Sequence, residues 1–481
     1  MKRKFVTNLL LLLFLNLLIK PFWIFGIDIT VQNVVGNESY GLYFALFNFS
    51  LILNILLDLG ITNYNNRNIA QHNFLLSKHL SNIVGLKFIL SIMYAVVCIL
   101  FAFIIGYDKV QIHLLLFLIF NQFLVSFTLY LRSNISALHL FRTDSLISVL
   151  DRTLMIIFCG LLLYTNVLGV DFSIELFVYA QTAAYVLTAI ITFIIVHAKA
   201  GKITLRFNIR FFIVILRQSY PYALLILLMF FYHRVDSIML ERMLPDPLGK
   251  EQAGLYAQAF RLLDAVSMFG VLFAGLLLPI FSKMIKQKEE VGQMVKLSFT
   301  LIFVPAIIIS ISSLLYDQEI MSLLYKSSSD ESAQILGLLM TGFLGLSTSY
   351  IFGSLLTANG SLKQLNRMAF LGMVLNITLN LVLIPRMQAL GSAYASMVTQ
   401  FYTSIAQLFI AVYIFKLKTN WKFIGHILLF VVLVFLIGLA SKNFNNWIYG
   451  YLGLVVVSSL LAFGIRLINL KSLYKIIMFK T

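Results

Sequence analysis

The chain has 481 residues, of which 60% are hydrophobic and 11% are charged, and its formal net charge is +17. Its mean hydropathy is +0.93. This balance excludes a soluble globular protein, because too few charged residues remain to cover a water-exposed surface. The composition therefore predicts an integral membrane protein.

The apolar residues form about fourteen stretches, most of them long enough to cross a hydrocarbon core of roughly 30 Å as helices. Strands of a membrane barrel would alternate apolar and polar residues over about ten positions. The sequence thus predicts an all-α membrane bundle. In chain order, the predicted spans are 8–25, 40–59, 83–105, 112–131, 146–164, 176–196, 220–240, 253–280, 294–315, 333–356, 368–384, 392–415, 423–440 and 447–465.

Basic residues divide unevenly between the loops at the two ends of these spans. With the N-terminus inside, the inside segments hold twenty-four Lys and Arg and the outside loops hold six. Because basic short loops are retained in the cytoplasm, both termini are predicted to be cytoplasmic. The same spread over many loops explains the net charge without a nucleic-acid partner.

A short motif recurs six spans apart. Residues 40–43 read Tyr-Gly-Leu-Tyr at the start of the second span, and residues 253–256 read Ala-Gly-Leu-Tyr at the start of the eighth. Lys20 precedes Gly41 by 21 residues, and Arg234 precedes Gly254 by 20. A separation of six spans preserves orientation, so the motif predicts two parallel repeats.

These repeats divide the chain into three predicted segments. Residues 1–200 form one six-helix lobe and residues 201–418 form a second. Residues 419–481 add two C-terminal helices. Transporter folds often enclose a binding site between such repeats.

Three basic residues lie deep within their predicted spans. At 1.5 Å of rise per residue, Lys20 lies about 18 Å, Arg234 about 21 Å and Arg261 about 12 Å from the span end where each helix starts. Placing a charge at such depth in hydrocarbon costs several kcal/mol of free energy, at about 2.5 kcal/mol or more per residue. Such residues therefore usually line internal paths or cavities. We expect Lys20, Arg234 and Arg261 to line a cationic cavity that binds an anionic substrate.

Other ionisable residues have simpler interpretations. Asp264 is three residues after Arg261, so an ion pair on one helix face is as strong an expectation as a cavity role. Asp264, Asp236 and Asp58 are the candidate coupling or pairing acids, and Asp58 is expected to pair with a cytoplasmic base such as Arg67. Basic residues near the span ends are expected to extend to the membrane interface: Lys87, Arg152 and Arg217.

Catalytic and metal motifs do not emerge from the sequence. It contains no HExxH, Walker or GxGxxG arrangement, and both cysteines fall within spans. We therefore expect no enzyme activity, no metal site and no cofactor.

Sharp motifs occur in the first span pair of each predicted lobe. They are residues 20–26, 31–33, 40–44 and 57–60 in the first half, and Tyr232, Arg234, Asp236 and the stretch from Gly254 to Asp264 in the second. In these motifs the chain resembles Wzx-type polysaccharide-repeat flippases of the multidrug, oligosaccharidyl-lipid and polysaccharide exporter superfamily. The resemblance covers the whole chain in span number.

The resemblance implies a V-shaped exporter fold and a specific substrate class. Two lobes would surround a hydrated cationic cavity that flips a polyprenyl-diphosphate-linked oligosaccharide across the bacterial inner membrane by alternating access. Protons or sodium ions are candidate coupling partners beside the membrane lipids. Trp23, Phe25, Tyr232 and Tyr256 would stack on sugars or, as the simpler expectation, pack in the core.

Two alternative functions remain open from the sequence. One is a cation-coupled multidrug antiporter of the same superfamily, which would require buried carboxylates to dominate the cavity. The other is a membrane-embedded glycan polymerase or transferase, which would require a catalytic cluster or a large loop.

Overall fold

The computed structural model describes residues 14–465 and 467, apart from 63–64, 66–68, 70–75, 139, 166–168, 201–208 and 419. The side chains of 77–79 and 209–219 also lie outside this description. All regular elements in the described part of the chain are helical, which confirms the prediction of an all-α protein.

The helices follow one another through short connections. They are α1 (Phe14–Ile52), α2 (Leu76–Ile105), α3 (Lys109–Ala137), α4 (Phe141–Tyr164), α5 (Ile174–Ala200), α6 (Ile209–Met243), α7 (Leu248–Lys286), α8 (Gly292–Leu315), α9 (Asp317–Leu324), α10 (Asp330–Ala358), α11 (Leu362–Phe415), α12 (Trp421–Ser441) and α13 (Trp447–Gly464).

Twelve helices in the described residues are long and apolar enough to cross a membrane, and two of them contain a backbone break. α1 is broken at Gly36 (φ 81°) and the 54-residue α11 at Gln388 (φ 50°). Each break falls between two predicted spans, so α1 and α11 each supply two of them. The chain is therefore a multi-pass membrane protein with about the predicted number of crossings.

Local capping explains where several helices begin. Asp108 accepts a hydrogen bond from the backbone of Gln111 at 2.8 Å, and Gln111 accepts one from the backbone of Asp108 at 3.0 Å. Ser329 and Ser332 form the same reciprocal pair before α10. Such pairs satisfy backbone donors that lack partners in the first helical turn.

The helices form two compact units, Met1–Gly254 and Leu255–Thr481. In the first unit, α1 packs against α3, α5 and α6, and α5 also contacts α3 and α4. A short 3₁₀ helix, Asn54–Leu57, follows α1 and packs against α2 and α3. The lobe boundaries at 200 and 418 derive from the sequence repeat and stay a prediction.

In the second unit, α10 packs against α8 and α11, and α12 and α13 pack together against α8. Ile307, Phe430 and Leu454 lie in the core that joins these last helices to α8. Many large apolar side chains elsewhere are exposed, as expected for helices whose outer faces contact lipid.

Candidate functional site

Lys20 lies on α1 close to charged residues of α4. Its ammonium is half-buried and within electrostatic range of Arg152 and Asp151. The helix α4 begins at Phe141, five residues before the predicted start, so Arg152 is about three turns inside it. Whether Arg152 extends to the membrane interface stays a prediction.

Arg152 is held between aromatic rings from two other helices. Its guanidinium carbon lies 5.5 Å from the ring centroid of Trp23 on α1 and 6.0 Å from that of Tyr185 on α5. Trp23 in turn stacks on Phe177, with centroids 6.0 Å apart and planes inclined by 5°. Cation–π contacts of this kind fix the orientation of a guanidinium.

The acids beside Arg152 leave it able to bind further groups. Arg152 Nε lies 3.8 Å from Asp151 Oδ2, which is longer than a hydrogen bond, so this ion pair does not saturate the five guanidinium donors. Asp28 also interacts electrostatically with Arg152 but is buried. We call Lys20, Trp23, Asp151, Arg152 and Tyr185 the Arg152 cluster.

The chemistry of the Arg152 cluster suits a phosphorylated amphiphile. Two cations on neighbouring helices can contact two phosphate groups, and a guanidinium binds phosphate oxygens in bidentate fashion. Trp23 and Tyr185 provide flat apolar surfaces beside these charges. The sequence reasoning did not include Arg152 among the candidate binding residues, and the adjacent Asp151 was the local signal of an ion pair.

Arg234 lies on α6, where this helix packs against α1. Its Nη1 donates to Asn48 Oδ1 at 3.4 Å, and Asn48 Nδ2 donates to Ser237 Oγ at 2.8 Å. Asp236 is buried on the same helix. The structure therefore places Lys20 and Arg234 on two helices of one unit.

Arg261 belongs to the second unit, on α7. Its Nη1 lies 3.9 Å from Asp264 Oδ2, so the two side chains form the ion pair that their spacing predicts. Whether this pair also faces a substrate stays a prediction.

Asp58 forms an ion pair with a different base from the expected one. Lys87 Nζ donates to Asp58 Oδ1 at 2.6 Å, whereas Arg67 lies outside the described residues. Lys87 is only 1% exposed, because its ammonium lies against the Leu57 carbonyl and the Ser126 hydroxyl as well as Asp58. The expectation that Lys87 extends to the interface was wrong.

The two repeated glycines meet in the first unit. A Cβ atom on Gly41 would overlap the Lys250 carbonyl oxygen and lie 2.5 Å from the Gly254 nitrogen. A Cβ on Gly254 would overlap the carbonyl oxygen of Asn37. Gln32 Nε2 donates to the Gly254 carbonyl at 2.9 Å and adds a polar contact. The repeated motif thus provides a backbone contact between α1 and the start of α7.

The aromatic residues singled out in the sequence differ in position. Trp23, Tyr232 and Tyr256 are buried, in line with the packing expectation, whereas Phe25 is exposed. Within the described residues, no group of three or more His, Cys, Asp or Glu side chains is placed to hold a metal ion.

Residues 5–285 match the model of a protein family described as polysaccharide biosynthesis protein, which covers more than half of the chain. The chain belongs to this family. No curated protein matches it by sequence.

Solved structures show that this polysaccharide biosynthesis protein has an exporter fold. The lipid II flippase MurJ, in an inward closed conformation, matches with a TM-score of 0.67 at 16% identity, covering 99% of each chain. An inward-facing multidrug resistance MATE family transporter of the MOP superfamily matches with a TM-score of 0.58 at 15% identity, covering 82% of this chain and 94% of that one. A MOP superfamily transporter from Pyrococcus furiosus gives a TM-score of 0.58 at 15% identity, covering 85% and 94%. These matches confirm the predicted exporter fold.

Proposed function

We propose that this protein is a flippase for a lipid-linked oligosaccharide. It moves a polyprenyl-diphosphate-linked repeat unit from the cytoplasmic to the outer leaflet of the bacterial inner membrane by alternating access. The product serves surface polysaccharide or lipopolysaccharide biosynthesis, including O-antigen. Both chain termini face the cytoplasm in this proposal, as the distribution of basic residues indicates.

The observation that carries the proposal is that Lys20 and Arg152 lie within electrostatic range of each other in the first unit. Two cations from different membrane helices lie beside aromatic rings, in a fold shared with a lipid II flippase. A single cation buried in a membrane protein is usually neutralised by a nearby acid. A diphosphate carries several negative charges, so its binding requires more than one cation. Membership of the polysaccharide biosynthesis protein family supports a lipid-linked sugar rather than a free anion.

The remaining candidate residues take supporting roles in the proposal. Arg234 and Arg261 add positive charge along the substrate path, and Asp264 and Asp236 are candidate sites for a coupling proton or sodium ion. A drug antiporter is the main rival, because MATE transporters share the fold. We favour the flippase because cations outnumber acids in the Arg152 cluster, whereas a cation-coupled antiporter would require carboxylates to dominate its cavity.

Reconstitution in vesicles tests the proposal directly. A fluorescent diphosphate-linked oligosaccharide lipid should become accessible to an impermeant quencher only in vesicles that contain the protein. Lys20→Ala and Arg152→Ala should each slow this step by about 10- to 100-fold, the range expected from losing one charge-assisted hydrogen bond.

Matched controls separate charge loss in general from loss of the site. Lys109→Ala removes an exposed basic residue and should leave the rate unchanged. Transport of a cationic dye at a normal rate, with no movement of the lipid, would favour the antiporter instead.

A further inference from the structure

Lys87 is a fully buried cation that the proposed function does not use. It belongs to the Lys87 cluster, which we define as Leu57, Asp58, Lys87, Ser126 and Tyr130. The cluster forms where α1 stops and the chain passes through the 3₁₀ helix Asn54–Leu57.

The backbone after this 3₁₀ helix cannot continue as a regular helix. Leu59 and Gly60 have positive φ angles of 44° and 84°, in the left-handed region. The Leu57 carbonyl oxygen instead accepts hydrogen bonds from Lys87 Nζ at 2.9 Å and from Ser126 Oγ at 3.3 Å. The carbonyl end of a membrane helix is thus stabilised by a side-chain cation rather than by the next helical turn.

The Lys87 ammonium uses all three of its donors within this cluster. Besides the Leu57 carbonyl, it donates to Asp58 Oδ1 at 2.6 Å and to Ser126 Oγ at 3.0 Å. The ring of Tyr130 lies on another side, with its centroid 6.0 Å from Nζ. Asp58 Oδ1 also accepts from the backbone N–H and the hydroxyl of Thr62, so its negative charge is shared among three donors.

The oxygen atoms around Lys87 Nζ are those that a monovalent metal ion prefers. A backbone carbonyl from an interrupted helix, one carboxylate and one hydroxyl form a hard oxygen set with a single negative charge. Membrane transporters use unwound carbonyls and helix C-terminal ends in this way to coordinate sodium. In this protein, the positive charge among these oxygen atoms is the ammonium group of Lys87.

We propose that the Lys87 ammonium occupies a monovalent-cation site and acts as a tethered replacement for free Na⁺ or K⁺. The first unit therefore holds its interrupted helix together without an alkali cation. Removing the ammonium while keeping Asp58 and Ser126 converts the site into one that binds Na⁺ or K⁺ from solution. This inference does not depend on the substrate of the protein.

The test compares thermal unfolding and folded yield of the full-length protein in detergent. Wild type and Lys87→Ala are measured in NaCl, KCl and choline chloride at equal ionic strength. The wild type should unfold at the same temperature in all three salts. Lys87→Ala should unfold earlier in choline chloride and rise by at least about 3 °C in NaCl or KCl, saturably with concentration.

Two further variants identify the site. Lys87→Met fills the space with an uncharged chain of similar length, so alkali salts should not raise its unfolding temperature. Lys87→Ala combined with Asp58→Asn removes the carboxylate and should abolish the salt response. If Lys87→Ala responds equally to all three salts, or gives equally little folded monomer in each, the proposal is overturned.

Discussion

The Arg152 cluster and the Lys87 cluster place the same kinds of charge in neighbouring helices, yet their coordination differs. Lys87 is 1% exposed, and its three donors reach oxygen atoms at hydrogen-bond distance. Arg152 is half-buried, its ion pair with Asp151 spans 3.8 Å, and its Nη1 donates to the weak acceptor Met155 Sδ at 3.3 Å. Saturated coordination indicates a structural charge, whereas unsaturated coordination indicates a charge that can bind a further group.

The largest effect should come from breaking the saturated pair. Asp58→Ala leaves the Lys87 ammonium buried without its carboxylate, which should cost about 3–5 kcal/mol of unfolding free energy. Thermal unfolding in detergent measures this. Lys20→Ala is the matched comparison from the other cluster and should change the unfolding temperature little. Equal destabilisation by both variants would remove the distinction between the two clusters.

The second-largest effect should come from disrupting the backbone contact at Gly41 and Gly254. Gly254→Val forces side-chain atoms into the Asn37 backbone, and overpacking of this kind costs about 1–3 kcal/mol. Because α1 and the start of α7 would then separate, we expect both a lower unfolding temperature and slower lipid flipping. Gly275→Val is the control, since a Cβ atom there has no heavy atom within 4 Å. A control that behaves like Gly254→Val would show that helix propensity, not the contact, is responsible.

A smaller effect should sharpen the role of the aromatic rings. Arg152→Lys keeps the charge but loses the planar guanidinium between Trp23 and Tyr185, which should weaken substrate binding by about 1 kcal/mol. The concentration of lipid that gives half-maximal flipping should rise about fivefold. If Arg152→Lys has the same half-maximal lipid concentration as the wild type, the two rings have a packing role only.

The sequence predicted the membrane helices well, because continuous apolar stretches have few alternatives in a bilayer. Even the breaks at Gly36 and Gln388 fall between the spans drawn from hydropathy. What it missed is where two helices begin. α2 and α4 start several residues before their predicted spans, because polar residues continue each helix beyond its apolar stretch.

The partners of the charged residues were harder to predict than the helices that carry them. Arg261 and Asp264 pair as their spacing indicates, because both lie on one helix. Lys87 and Asp58 come from different elements, 29 residues apart in the chain, and nothing local links them. The interrupted backbone at Leu59 and Gly60 allows that pairing. In the sequence, Gly60 was the only local sign of this interruption.

The packing of α12 and α13 on α8 has a consequence for how the protein is made. α8 leaves the ribosome long before these two helices, yet Ile307 is fully buried and Tyr316 shares a 2.8 Å hydrogen bond with Ser441 of α12. Until synthesis is complete, lipid or an insertion chaperone must cover the apolar surface of α8 that α12 and α13 later bury. A truncated polypeptide ending before α12 would retain the Arg152 cluster and leave this apolar surface of α8 uncovered.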